Sequence, residues 1–248
     1  MDCMRVPAAG AGPVNNDSGL RGQLAATLRE AEAAEQQLVC LCADGVTDTG
    51  EPWSAKDHVA HLAAWREHAV TVLSNAAGGS ESPPVGDIDA YNDAVFLANR
   101  EAGAAAVRQY SASTYATLIA TLEALPADAL HRRRDGAGPV WTVLLGYGCG
   151  HVAEHLGYWH AQHGDAGAAD RAAQWGFEVV ERHCHDSLAV ATAAYNLACH
   201  YARSGRITEA LPLLRRALQA RPELRSFART DTDLDPVRAD PGMAELLS

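Results

Sequence analysis

Gly150-His151-Val152-Ala153-Glu154-His155-Leu156 carries two histidines four residues apart. On a helix this spacing projects both imidazoles from one face, so the pair can hold a single metal ion. Glycines at 146, 148 and 150 just before it allow close approach of another helix, although they weaken the helix they sit in. Apolar residues continue on both sides, and one helix is expected from about Trp141 to His163.

The helical period recurs upstream. Leu20, Leu24, Leu28 and Leu38 mark a first helix to about Cys42, followed by a polar loop from Ala43 to Pro52. Ser54 reads as an N-cap with Asp57 three residues on, close to a capping box, and opens a second helix to about Ala77. Gly78 to Gly86, with Pro83 and Pro84, breaks it. Asp87 to Leu125 is expected to be mostly helical, bent at Gly103 and ended by Pro126, with a loop through Gly136, Gly138 and Pro139. Alternating β-branched residues are scarce, so no strand is expected. The fold class is therefore all-α. Residues 1–18 read as a disordered tail and residues 19–164 as an antiparallel four-helix bundle, in which side chains from different helices face one core.

Gly164 to Gly167 reads as a linker to a second module over residues 165–248. Ala194 to Gly205 and Thr208 to Leu218 resemble the two helices of a tetratricopeptide (TPR) unit. Leu197, Tyr201, Ala210, Leu214, Ala217 and Pro222 stand at its size-restricted positions. Ala198 replaces a common Gly and Ala194 a common Trp. Ala169 to His183 is expected to form a helix packing beside it. One repeat cannot bury its own face, so it should lean on the bundle or on another subunit.

The bulk numbers exclude several functions. The chain has 248 residues, 48% hydrophobic, with a net charge of −11. An acidic surface argues against nucleic acid and anionic membranes as partners. No apolar run approaches the ~20 residues of a membrane span. No apolar stretch precedes Gly10, so no signal peptide is expected. Six cysteines without a CxxC pair read as reduced thiols, and the expected location is the cytoplasm. His131-Arg132-Arg133-Arg134 reads as a solvated loop.

On the second helix His58, His61, Trp65 and His68 share one broad stripe, and the spacing alone leaves open which histidine joins the 151/155 pair. Other metal motifs fit less well. HVAEH matches the HxxEH form of inverted zinc peptidases, which need a distant carboxylate and a larger fold. His183-Cys184-His185 with Cys199-His200 matches no common finger spacing. Asp231-Thr232-Asp233-Leu234-Asp235 begins like a calcium loop, but Pro236 and Gly242 occupy its sixth and twelfth positions, so turns and N-caps are expected there.

Trp53-Ser54, Asp57 and His61-Leu62-Ala63-Ala64-Trp65, together with the later Gly150-to-Leu156 stretch, resemble helices two and four of the DinB-like superfamily. Asn92, Asn99-Arg100, Tyr110 to Ser113, Leu118 and Leu122 resemble helix three of its ClbS/DfsB-type branch. The resemblance covers about residues 19–163. It implies a metal-binding four-helix bundle in which His61, His151 and His155 hold zinc or nickel. It also implies a small electrophilic metabolite as substrate, with thiol transfer, isomerisation or hydrolysis as the reaction. Members include mycothiol-dependent maleylpyruvate isomerase, so a low-molecular-weight thiol such as mycothiol is an expected second cofactor; the ClbS-type branch implies detoxification or self-resistance.

Three neutral imidazoles leave a coordination position free, which suits a catalytic ion. The sequence does not choose between a water and a thiol nucleophile. Trp65 and Tyr158 are candidate walls of the substrate pocket. Glu154, Asn99 and Arg100 are the weak candidates for catalytic groups. The alternative function is a non-catalytic scaffold that uses the bundle and the TPR-like module to bind a protein partner, and a homodimer fits either reading.

Overall fold

The computed structural model describes residues 17–45, 53–82, 85–133, 139–184 and 186–247. The expected tail through residue 16, the end of the first loop (46–52), Pro83, Pro84, Arg134, Gly136, Gly138 and His185 lie outside the described residues.

Helix α1 spans Asp17–Leu41 and so begins inside the expected tail. Helix α2 spans Ala55–Ala77 behind a complete capping box: the Ser54 backbone N–H donates to Asp57 Oδ2 at 2.9 Å, and the Ser54 hydroxyl accepts the Asp57 N–H. The segment expected as one bent helix is two, α3 (Ile88–Asn99) and α4 (Ala104–Ala124), with Gly103 as the N-cap of the second. Distant residues hold the break at Gly103: Asp44 Oδ1 accepts the Ala104 N–H at 2.7 Å. The buried Lys56 ammonium donates to the carbonyls of Arg100 (2.7 Å) and Ala102 (3.0 Å), and to that of Gly45, so these carbonyls are satisfied outside any helix.

A short turn of helix, α5 (Ala127–Leu130), leads through the described part of the next loop to α6 (Thr142–Leu145). Gly146–Gly150 then form a π-helical turn, succeeded by α7 (His151–Gln162). The fourth bundle helix is therefore continuous in path but not in winding. A widened turn rotates the side chains of α7 relative to those of a regular helix, and such turns recur at functional sites. Gly148 also permits the close contact that its sequence suggested: a Cβ there would lie 2.3 Å from Leu28 Cδ2.

Side-chain pairings give the bundle directions. Glu35 of α1 meets Arg66 of α2, and Arg21 donates to the Leu122 carbonyl, so α1 runs opposite to α2 and α4. His151 and His155 of α7 meet His61 and His58, so α7 also opposes α2. Helices α2 and α4 run parallel, because Lys56 reaches Ala102 while Arg66 reaches Ser111 and Thr114. Helix α3 makes this possible by carrying the chain back over α2. Leu24, Leu28, Leu38, Val59, Leu62, Leu73, Leu118, Leu122, Leu144, Val152 and Leu156 fill the shared core.

One polar cluster interrupts that core. Arg66 and Glu35, both fully buried, pair through Nη1–Oε2 (2.6 Å) and Nη2–Oε1 (3.0 Å). Ser111 and Tyr115 donate to the same carboxylate, Thr114 accepts from Arg66 Nε, and the guanidinium lies 3.9 Å over the Tyr115 ring. Burying two charges is tolerable because every strong donor and acceptor has a partner.

The stretch expected as a linker is a tight turn at Gly164 (φ +75°) plus the first turn of α8 (Ala166–His183). Ala172, Val179 and Val180 of α8 join the bundle core. Helices α9 (Ser187–Arg203) and α10 (Ile207–Ala220) pack against each other, and α9 begins about two turns before the helix expected from Ala194. Short α11 (Leu224–Ala228), a 3-10 turn (Thr232–Val237) and α12 (Pro241–Leu247) close a second core around Leu197, Leu214, Leu218, Leu234 and Met243. No strand occurs among the described residues, and no helix there is long and apolar enough to cross a membrane.

Candidate metal centre

Helices α2 and α7 cross where His61 faces His151 and His155. His61 Nε2 lies 3.2 Å from His151 Nε2, and His155 Nε2 lies 3.2 Å from the same atom. One ligand atom from each residue falls within 4.8 Å of the others. Three nitrogens around one ion at ~2.0–2.1 Å in tetrahedral directions would stand roughly 3.3 Å apart. The residues present therefore fit a divalent ion.

Charge state supports the fit. Burial pushes His61 down to about 4 and His151 down to about 3, and it holds His155 well below the ordinary histidine range. The imidazoles are neutral near pH 7, the form that binds a metal. At His151 Nε2, which faces two other nitrogens, a single proton cannot bond all three rings well. A cation shared among three lone pairs removes that conflict.

Aromatic rings enclose the triad. Trp53 stacks on His155 with centroids 6.0 Å apart and on Phe96 of α3 at 6.1 Å. Trp65 meets His151 edge-on at 5.9 Å and stacks on Tyr147 at 4.8 Å. Trp65 is held by its Nε1–H donating to Asn92 Oδ1 (3.1 Å), so α3 is tied to the wall of the site. These rings give the surroundings of the triad an apolar, aromatic lining.

The other expected residues separate into two groups. Tyr158 borders His155, with ring centroids 5.8 Å apart, and its hydroxyl donates to Glu154 Oε1 at 2.7 Å. Glu154 itself points away from the triad, onto a cavity of about 750 Å³ on the reverse side of α7. Gly150, Phe177, Asn196 and Arg203 also line that cavity, and none of the three histidines does. Asn99 bonds back to the Val95 carbonyl at 2.8 Å, and Arg100 pairs with Glu101. The structure thus brings Trp65 and Tyr158 to the histidines but not Glu154, Asn99 or Arg100.

Sequence reasoning passed over Phe96 and Tyr147, quoted Trp53 only as part of the helix-two motif, and weighed His58 only as an alternative ligand, not as a partner of His155. His58 Nδ1 lies 2.7 Å from His155 Nδ1, and burial pushes His58 down to about 4. Its signal was present in the sequence: it stands three residues before His61, on the same helical stripe.

The remaining polar clusters have ordinary partners. Cys199, Asp231 and Asp233 come together, but Tyr195 donates to Asp231 (2.7 Å) and Arg203 pairs with Asp233 (2.6 Å). Asp231 caps the 3-10 turn through Asp233 N–H, as expected for a stretch of turns and caps. His200 bonds Asp170 at 2.7 Å rather than Cys199. Burial pushes the Cys42 and Cys149 thiols up to about 11 and about 12, so neither supplies a thiolate near pH 7.

A family model described as the DinB superfamily matches residues 22–163, which includes every residue of the triad. No curated protein and no solved structure matches the chain.

Proposed function

The chain belongs to the DinB superfamily, whose members generally bind metal, and we propose that it is a divalent-metal-dependent enzyme acting on a small electrophilic metabolite. Zinc or nickel would be held by His61, His151 and His155. The observation that carries this reading is the convergence of three Nε2 atoms from two helices, His61 and His155 buried and His151 half-buried, in a wall of aromatic rings. Three neutral ligands leave the ion its charge of about +2, which lowers the pKa of a water or thiol placed beside it by several units.

This chain's own residues would do the rest. Trp53, Phe96 and Trp65 exclude bulk water and present apolar faces to the substrate, and Tyr158 closes the edge beside His155. A nucleophile activated there suits an epoxide, an activated alkene or a strained ring, by thiol transfer, isomerisation or hydrolysis. Mycothiol or a similar thiol would be the second cofactor in the first two cases.

The second reading, a non-catalytic binding protein, draws on a separate observation. The 750 Å³ cavity behind α7 lies between the bundle and the α8–α9 pair and does not touch the triad. In that reading the TPR-like hairpin and the cavity take a partner, and the histidines only stabilise the fold.

Metal analysis discriminates the two. Protein refilled with zinc or nickel should hold one ion per chain, and His61→Ala or His155→Ala should lose it. Wild-type protein that takes up no ion would end the enzyme reading. With metal bound, electrophiles are then screened with and without low-molecular-weight thiols, and turnover of at least one class is expected.

A further inference from the structure

We infer that His58 is a positioning residue of the metal centre: it accepts the Nδ1–H of His155 and thereby commits His155 Nε2 to the ion. The inference rests on the three-histidine reading above and concerns how one ligand is held. Both ring nitrogens of His155 are engaged. Nε2 faces His151 Nε2 at 3.2 Å, and Nδ1 faces His58 Nδ1 at 2.7 Å. At 2.7 Å one of the two Nδ1 atoms must carry the proton and the other the lone pair. Nε2 of His155 points at the other ligands and must be bare to bind a cation. The proton of His155 therefore sits on Nδ1, and His58 Nδ1 is the acceptor.

His58 is 2% exposed and His155 6% exposed. The His58 ring is boxed edge-on by Trp53 at 5.5 Å and by Trp159 at 6.1 Å, which fixes its plane. His58 Nε2, which then carries that ring's proton, has no hydrogen-bond partner among the described residues, and neither do Nδ1 of His61 and Nδ1 of His151. Within that set His155 is thus the triad member whose tautomer a neighbouring side chain sets. Metal-bound histidines usually give their second N–H to a carboxylate, a carbonyl or water, and loss of that partner weakens metal affinity about ten- to hundredfold. Here a neutral imidazole takes that place. It would orient the ring without adding negative charge beside a bound ion, leaving that ion's charge undiminished by its second-nitrogen partner. The same helix, α2, supplies one ligand through His61 and the support of another through His58.

The test uses the full chain loaded with zinc and read in two ways. Nitrogen-15 NMR of wild-type, zinc-loaded protein should show His155 bound through Nε2, with a hydrogen-bonded Nδ1–H. The opposite tautomer, or an Nδ1–H without a hydrogen-bonded shift, overturns the proposal and needs no variant. Zinc affinity is then measured by competition with a chromophoric chelator. His58→Phe keeps the ring and removes the acceptor, and should weaken zinc binding about ten- to hundredfold. His58→Gln restores an acceptor and should recover part of the loss. Circular dichroism melts identify a variant that fails to fold, in which case the wild-type spectrum decides. Wild-type affinity in His58→Phe, with an unchanged His155 spectrum, overturns the proposal alone. Failure of wild-type protein to bind zinc overturns both the proposal and the metal reading.

Discussion

Acidification from pH 7 to pH 5 should cost the metal-free protein several kcal/mol of stability. Burial lowers His58 and His61 to about 4 and His151 to about 3, while each returns to about 6.5 when the chain unfolds. A histidine held neutral in the fold takes its proton only on unfolding. Below pH 6.5 unfolding therefore consumes protons, and every step toward acid favours the unfolded chain until the folded pKa is reached. Above pH 6.5 both states are neutral and the effect vanishes. Moving from pH 7 to pH 5 costs roughly 2 kcal/mol for each such group. The three together come to about 6 kcal/mol, a large share of the ~5–15 kcal/mol that stabilises an ordinary domain. His155, shifted the same way, adds to it. Urea denaturation at a series of pH values measures this directly. The slope of stability against pH gives the protons taken up on unfolding, which should approach three to four near pH 5.5. His58→Phe should remove about one of them. A stability that changes by less than ~1 kcal/mol over this range would show that the histidines are solvated, and would refute their burial as neutral groups.

The packing sets three further outcomes. Arg66→Met leaves the Glu35 carboxylate buried without its partner and should cost about 3–5 kcal/mol in a urea melt, whereas the double change with Glu35→Leu should cost less than Arg66→Met alone. Gly176→Val should destabilise by roughly 1–3 kcal/mol, because a Cβ there stands 2.5 Å from the Ala153 Cβ and must push α8 away from α7. Lys56→Met strips the donor from the carbonyls of Gly45, Arg100 and Ala102. It should cost on the order of 1–3 kcal/mol and speed proteolytic cleavage between α3 and α4.

Much of the scaffold was legible because helix signals are local. The leucines of α1, the Ser54–Asp57 cap and the stop at Pro126 each act within about one or two turns of chain, and each appears where its spacing put it. The place of the break, Gly103, was legible in Asp87 to Leu125, but its full division was not, since the groups that hold it, Lys56 and Asp44, lie more than forty residues upstream. The candidate site divides the same way. His151 and His155 face together through the period of one helix. The convergence of His61 on them depends on how α2 crosses α7.

Sequence alone determined what repeats along a single helix: the apolar stripes, the caps, the 151/155 pair and the all-α class. Tertiary structure decided whatever joins distant positions. It made α2 and α4 parallel, buried Glu35 against Arg66, brought Trp53 and Phe96 over the histidines and turned Glu154 to the reverse face of α7. It also made His58 the partner of His155 across 97 positions of chain. The physical reason is that helical periodicity assigns each side chain a face, while the partner on that face is chosen by packing and by the need of every buried polar group for a bond.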